Sequence, residues 1–218
     1  SSKTETPLEI YLNEHNQNLK SLEIIEVSEI DSAYSPYKEL MSLSYMYSKL
    51  GADIAKLNAK AFKAKSNKEA IAILDSALNI YNQEDAKLDP ITNKCFKSID
   101  FPELIDEKNR IYIKAKYKID GKTQEHNFYF NEDGKTIGHT EEDIRQSAND
   151  VLSGLNSAHD AKREIEKDKR AIAIIAIMAD AMLVIIAIFT PVRCLFLSFS
   201  SPLKNPRLPN SNPFSFKP

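Results

Sequence analysis

One apolar stretch, residues 171–189, constrains the fold of this chain more than any other feature. Its 19 residues include a single ionisable side chain, that of Asp180. A helix needs about 20 apolar residues to cross about 30 Å of hydrocarbon, whereas a soluble helix of this length would show a polar face. Because a chain of 218 residues has little core in which to bury such a helix, the sequence predicts a single transmembrane helix over residues 171–190.

Asp180 is the anomaly of this span, because a carboxylate at mid-membrane costs about 2.5–3.5 kcal/mol on insertion scales. It shares a helical face with small residues, which allow helix backbones to approach closely; these are Ala173, Ala176 and Ala187. We expect either a contact with a membrane-protein partner or a second copy at this face, or an acid that is tolerated because it is protonated or reached by water.

The segments that flank the span differ from each other in composition. Residues 140–170 start with acids, become strongly charged and enter the span without a helix breaker, which predicts a helical stalk. Residues 191–218 hold six of the chain's ten prolines and no acid, which predicts a disordered Pro/Ser/Phe-rich tail. Residues 1–139 are then expected to form the soluble domain.

Two cues for the side of the membrane conflict. Five basic residues lie in 162–170, and three lie within 17 residues after the span, namely Arg193, Lys204 and Arg207, which favours a cytoplasmic soluble domain by the positive-inside rule. The polar start, Ser1-Ser2-Lys3, is similar to that of a mature bacterial lipoprotein and favours the opposite side. Sidedness is therefore left open.

Helix starts are marked by capping boxes, in which a Ser or Thr precedes a Glu by three residues. Thr6 and Glu9 begin a short N-terminal helix, and Ser66 and Glu69 begin a long one. The long helix is expected to end before Pro90, because the residue before a proline is disfavoured in helical conformation. A further helix, opened by Ser35-Pro36 and extending to about residue 62, has an apolar stripe at spacings of three and four. The two long helices should form an antiparallel hairpin.

Strand patterns predict an antiparallel sheet. Residues 110–119 alternate apolar and polar, Asp120-Gly121 marks a hairpin turn, and residues 125–130 alternate again. Residues 21–30 are rich in β-branched side chains, and a short strand is expected near residues 136–138. The predicted fold is α+β: an N-terminal helix and strand, then the helical hairpin packed on an antiparallel sheet of three or four strands, then the stalk and the membrane helix.

The outward face of the 110–119 strand is a candidate interaction surface. It carries Lys114 and Lys116, with Tyr112 on the same strand and Tyr129 on the next to add aromatic contact area. The alternative is an ordinary solvated face, since antiparallel sheets commonly expose one polar side.

Known catalytic or cofactor signatures are missing from the sequence. Five glycines are too few and too scattered for a glycine-rich phosphate loop, and the four histidines lack metal-ligand spacing. His139, next to Thr140, is expected to be a loop residue at a helix start. A net charge of −2 does not favour nucleic acid as a partner. We therefore predict no enzyme, no metal and no cofactor.

The chain also carries a motif that resembles a group of small envelope proteins of Bacteroidetes-type bacteria. Residues 27–34 read V-S-E-I-D-S-A-Y, which is similar to that group's V-S-E-x-D-S-A-[FY] signature. Two helices and a hairpin follow, and the hairpin ends in Tyr129-Phe130 and Gly134-Lys135. The resemblance covers residues 7–138. It implies a lipoprotein-like, envelope-associated α+β domain, and the group has no established activity to carry over.

Two functions follow as hypotheses. The first is a membrane-anchored, non-enzymatic interaction or structural module, which acts through the Asp180 face of the membrane helix or through the exposed sheet face. The alternative is a small-ligand-binding domain with a pocket between the helical hairpin and the sheet, lined by Tyr47, His126, Phe128 and Phe130.

Overall fold

The computed structural model describes residues 5–15 and 21–199, with side chains described up to residue 189. These residues form an α+β fold, which confirms the predicted class. The helices are α1 (Pro7–His15), α2 (Tyr37–Ala61), α3 (Asn67–Asp100) and α4 (Glu141–Phe199). The strands are β1 (Leu22–Val27), β2 (Asp31–Ala33), β3 (Arg110–Ile119), β4 (Lys122–Phe130) and β5 (Ile137–Thr140). A 3-10 turn, Pro102–Leu104, follows α3.

The chain divides into two compact units, Ser1–Ile172 and Ala173–Pro218. The first unit contains the sheet, α1, α2, α3 and the N-terminal part of α4. The second unit begins within α4, at the start of the apolar stretch.

Side-chain caps begin the helices where the sequence predicts them. The Thr6 amide donates to Glu9 Oε2 at 2.7 Å, and the Glu9 amide donates back to Thr6 Oγ1 at 3.3 Å. At α3, Ser66 Oγ accepts from the Glu69 amide at 3.2 Å, while the Glu69 carboxylate accepts from the Lys65 amide at 2.9 Å. Both starts therefore satisfy backbone donors that would otherwise lack partners.

The expectation that α3 ends before Pro90 is wrong, because the helix continues to Asp100. Proline inside a helix costs about 3 kcal/mol or more, since it lacks an N–H group and crowds the preceding turn. Pro90 itself is exposed, but the turns after it bury Thr92, Cys95 and Ser98 against the other helices. Tertiary packing of this second half therefore outweighs the local cost.

Residues 140–170, expected to be a stalk, contribute the third helix of a bundle with α2 and α3. The buried side chains of α4 belong to the same apolar cluster as those of α2 and α3. The α4 members of this cluster are Ile144, Ala148, Val151, Ala158 and Ile165. This part of α4 is therefore core of the first unit rather than a separate connector.

Two glycines allow α2 and α4 to pack with their backbones close together. A Cβ atom on Gly51 would lie 3.3 Å from the Ala158 backbone, and one on Gly154 would lie 3.2 Å from Tyr47 Cβ and 3.3 Å from the Ser44 carbonyl oxygen. Gly154 thus has a packing role that offsets its poor helix propensity.

We expect Gly154→Ala to destabilise the bundle even though alanine favours helices by about 1 kcal/mol. The added methyl group must separate α2 from α4, and overpacking of this kind costs about 1–3 kcal/mol. Urea unfolding of the full chain in mild detergent, followed by circular dichroism, measures the change. Exposed Ser153 is the control, and Ser153→Ala should change the unfolding free energy by less than about 0.5 kcal/mol. A stabilised Gly154→Ala protein would contradict the proposed close contact.

The sheet is antiparallel, in the order β1-β3-β4-β5, with β2 also paired to β3. The predicted hairpin turn between β3 and β4 is confirmed: Asp120 and Gly121 have φ angles of 49° and 83°, as a type I′ turn requires. β1 and β2 follow one another along the same edge of β3, and Ser28 bridges the interruption. Its amide donates to the Lys114 carbonyl at 2.8 Å, and its hydroxyl accepts from the Lys114 amide at 2.9 Å.

The apolar face of the sheet packs against α1, and not against the helical hairpin. Leu8, Tyr11 and Leu12 of α1 form a second apolar cluster with the inward side chains of the strands. The bundle instead meets the opposite face of the sheet, where buried Tyr129 and half-buried Tyr112 join the bundle's cluster. The sheet therefore lies between two apolar layers over part of its area.

Candidate functional site

A cleft of about 450 Å³ lies where the bundle meets the sheet. Its sheet side carries Tyr112, Asn127 and Tyr129, and its helical side carries Glu141 and Arg145. The wall is completed by residues of β2, α3, α4 and the segments that join these elements, namely Ser32, Ala33, Tyr34, Pro36, Ser98, Ile99, Pro102, Ile105, Glu107, Lys108 and Ile144. The cleft thus offers aromatic surface, amide groups and charges of both signs.

A column of four rings supports one wall of this cleft. Tyr112 and Tyr129 lie with ring centroids 5.5 Å apart, and Tyr129 stacks on His139 at 5.0 Å with an interplanar angle of 5°. His139 in turn stacks on Tyr37 at 4.3 Å. The column therefore joins β3, β4, β5 and the start of α2 at the cleft wall.

His139 is a buried residue of β5, so its expected position in a loop is wrong. Its side chain is 5% exposed, and its Nε2 lies 2.7 Å from the hydroxyl of Ser35. Ser35 is held by Asn109, whose Oδ1 accepts from the Ser35 amide at 2.8 Å and whose Nδ2 donates to the Ser35 carbonyl at 3.1 Å. Burial lowers the pKa of His139 from 6.5 to about 4. The imidazole is therefore neutral near pH 7.

A Ser–His hydrogen bond is one element of a nucleophilic site, but this pair is sealed from solvent. Ser35 is 3% exposed and His139 is 5% exposed. The cleft is lined by neighbouring residues, Tyr34, Pro36 and Tyr129. A substrate in the cleft would therefore meet these side chains first, and the hydrogen bond serves to fasten β5 to the start of α2.

The depressed pKa of His139 predicts an acid-sensitive fold. The unfolded chain binds a proton near pH 6.5, whereas the folded chain resists it until about pH 4. Stability contributed by neutral His139 is therefore complete above pH 6.5 and falls as the pH drops towards 4. The loss is about 3 kcal/mol at most.

Urea unfolding at a series of pH values tests this prediction. His139→Gln should lower stability at pH 7.5, because it removes the ring stack, and it should also flatten the decline between pH 6.5 and 4. An equal decline in wild type and variant would show that His139 does not carry the acid sensitivity.

The structure does not bring together the four residues expected to line a ligand pocket. Tyr47 is fully buried in the bundle cluster and its hydroxyl lies 3.3 Å from Thr92 Oγ1. Phe128 and Phe130 belong to the cluster between the sheet and α1. His126 is half-buried, with its Nδ1 3.7 Å from Glu141 Oε1, too far for a hydrogen bond. A space between helices and sheet exists, but other residues line it.

Most residues of the cleft could not be predicted from the sequence, although its two sheet aromatics, Tyr112 and Tyr129, are predicted as outward residues. Glu141 is predicted only as an acid at a helix start, no pattern distinguishes Arg145, and Ser98 lies in the part of α3 that is predicted to be non-helical. The alternation of β4 did place Asn127 and Tyr129 on one face, and that face proves to line the cleft.

The lysine face of β3 is balanced by acids on both neighbouring strands. Lys114 pairs with Glu125 at 2.5 Å. Lys116 lies opposite Glu26 of β1 and Glu125 of β4 in the strand register. Tyr112 and Tyr129 lie on the same side of the sheet as these lysines, but the bundle meets the sheet there, so the two rings line the cleft and are not part of the exposed surface. The pattern is that of a solvated sheet face with local charge pairs.

The second unit contains the apolar part of α4. All its described large apolar side chains between residues 174 and 189 are 54–69% exposed. Asp180 is exposed too, and the helix places it on the same face as Ala173, Ala176 and Ala187. Among the described residues, this is the one helix that is long and apolar enough to cross a membrane.

Neither a metal cluster nor a relative points to a function. Within residues 5–15 and 21–189, no group of three His, Cys, Asp or Glu side chains is arranged to hold a metal. No protein-family model, curated protein or solved structure matches the chain. The resemblance of residues 27–34 to a bacterial envelope group therefore stays a prediction.

Proposed function

We propose that this chain is a membrane-anchored, non-enzymatic interaction module of a bacterial envelope, with the lipid bilayer as its permanent partner. The exposure of the apolar side chains of α4 carries this proposal. Over the 16 residues from 174 to 189, the large apolar side chains are more than half exposed. Exposing apolar surface to water costs about 25 cal/mol per Å². Hydrocarbon removes that cost, and the stretch has the length of a bilayer core.

The Asp180 face gives the module a place for a partner within the membrane. A carboxylate is costly in lipid unless it meets a polar or basic group. The small residues on the same face, Ala173 and Ala176 among them, leave room for a second helix to approach. The partner is accordingly a membrane helix, either of another protein or of a second copy.

In carbonate-washed membranes, we expect the full chain to remain in the pellet and to form a crosslinked complex with an amine-reactive reagent. Ala176→Leu should reduce the crosslinked fraction several-fold, because Ala176 lies about 40° around the helix from Asp180. Asp180→Ala should reduce it as well.

Ala171→Leu is the matched control, since Ala171 lies about 180° from Asp180 on the same helix. It should crosslink like wild type. Equal crosslinking of Ala176→Leu and Ala171→Leu would contradict assembly through this face, and release of the chain by carbonate would contradict the anchor.

The cleft supports a second candidate function, the binding of a small ligand by the first unit. Tyr112 and Tyr129 provide aromatic surface, while Glu141 and Arg145 place a carboxylate and a guanidinium group at the opposite wall. This combination suits a ligand with an apolar group and both charges, as in a short peptide. The volume of about 450 Å³ is within the range of small-molecule sites.

Saturation-transfer NMR with a panel of free amino acids and short peptides tests this candidate on the full chain in nanodiscs. We expect Arg145→Gln to remove the transfer signal of any peptide that binds the cleft. Arg163→Gln is the control, because Arg163 lies on the same helix and has a similarly exposed side chain outside the cleft. Equal signals from both variants would place binding elsewhere.

A further inference from the structure

The turn that joins α2 to α3 lies at the end of the bundle from which α4 continues into its apolar stretch. Asn58 Nδ2 donates to Asp168 Oδ2 at 2.9 Å, and Lys169 pairs with Asp75 at 2.5 Å. Ile172, the last residue of the first unit, packs against the bundle cluster. If α4 spans a bilayer from residue 173, the lipid surface begins at this end of the bundle.

This end carries an unusual concentration of positive charge. Residues 56–68, here called the basic turn, contain five lysines and no acid: Lys56, Lys60, Lys63, Lys65 and Lys68. In the described part of the chain, only Lys56 of these five forms an ion pair, with Asp53 at 3.3 Å. By contrast, two basic residues of α4 at the same end form ion pairs: Lys169 with Asp75 and Arg170 with Glu166.

Helix stability does not account for these lysines. A positive charge near the C-terminus of α2 is favourable, as for Lys60, but a positive charge in the first turn of α3 opposes the helix dipole. Lys68 occupies that first turn, and Lys65 directly precedes the Ser66 cap. Their positions cost a little helix stability, so the helix dipole does not explain them.

An exposed aromatic side chain lies among the lysines. Phe62, at the C-terminal cap of α2, is 67% exposed. An exposed apolar ring flanked in the sequence by lysines has the composition of segments that bind at the membrane interface, where the ring reaches the acyl boundary and the charges meet headgroups.

The opposite end of the bundle carries more acids than bases. The acids are Asp100 at the end of α3, Glu103, Asp106 and Glu107 in the segment after it, and the three that begin α4, residues 141–143; the bases in the same segments are Lys97, Lys108, Arg110 and Arg145. The bundle is therefore polarised along its length, basic at the end where the apolar stretch begins and acidic at the other. An anionic surface at the basic end would attract that end and repel the acidic one.

We propose that the basic turn docks on the anionic headgroups of the same membrane that α4 crosses, with Phe62 inserted at the interface and Lys60, Lys63, Lys65 and Lys68 contacting phosphate groups. The inference rests on the proposed membrane anchor. Docking would hold this end of the bundle at the lipid surface.

The absence of tryptophan from the chain allows a direct test. Phe62→Trp in the full chain introduces a single tryptophan into the basic turn. In vesicles of brominated phosphatidylcholine with one quarter phosphatidylglycerol, its emission should shift to the blue and be quenched several-fold more than in vesicles of brominated phosphatidylcholine alone. Replacing Lys60, Lys63, Lys65 and Lys68 by Gln in the same protein should remove the difference between the two lipids.

Tyr45→Trp is the matched control. Tyr45 is 69% exposed on the same helix, and a separation of 17 residues places it about 25 Å from Phe62. The Tyr45→Trp protein should show little quenching in either lipid.

Flotation of each sample with its vesicles separates the docking from the anchor. If the chain floats with both vesicles but the Phe62→Trp protein is quenched no more than the Tyr45→Trp protein, or is quenched equally in both lipids, the docking is overturned and the anchor stands. A chain that fails to float overturns the anchor and the docking with it.

Discussion

The rest of this structure depends on the division of α4 into two parts, one buried in the bundle and one with an exposed apolar surface. Its first part supplies the buried residues that close the bundle of α2 and α3, from Ile144 to Ile165. Its later part supplies an apolar surface that no described residue covers. A single helix therefore closes the core of the folded unit and continues as the stretch that requires lipid. A proline or glycine near residue 172 would be needed to divide α4 into two separate helices, and the sequence has neither there.

Aromatic stacking joins the bundle to the sheet. Tyr37, His139, Tyr129 and Tyr112 form a continuous column, and the bond between Ser35 and His139 fixes the column to the start of α2. The cleft lies at this junction, with the rings of Tyr112 and Tyr129 on its sheet side and the charged groups of Glu141 and Arg145 on its helical side.

Local signals predicted much of the fold. Thr6 and Ser66 cap helices because their side chains accept backbone N–H groups within three residues, and Asp120-Gly121 turns the chain because both positions tolerate positive φ. These interactions are complete within a few residues, so the sequence alone reveals them.

Features that depend on distant contacts were harder to predict. The helix continues through Pro90 because residues beyond it are buried by other helices, and local propensity carries no information about that burial. Gly51 and Gly154 could be recognised as contact residues only after α2 and α4 were found side by side. For the same reason, the predicted pocket combined Tyr47, which lies in the bundle cluster, with Phe128 and Phe130, which lie in the cluster between the sheet and α1.

Hydrogen exchange of the full chain in nanodiscs tests the central claim, that α4 is bundle core in its first part and membrane helix in its second. Exchange is measured by mass spectrometry with and without enough urea to unfold the bundle. Amides of residues 144–165 should lose protection when the bundle unfolds, whereas amides of residues 173–189 should stay protected because lipid surrounds them. Loss of protection in both segments at the same urea concentration, or rapid exchange of residues 173–189 without urea, would contradict the account.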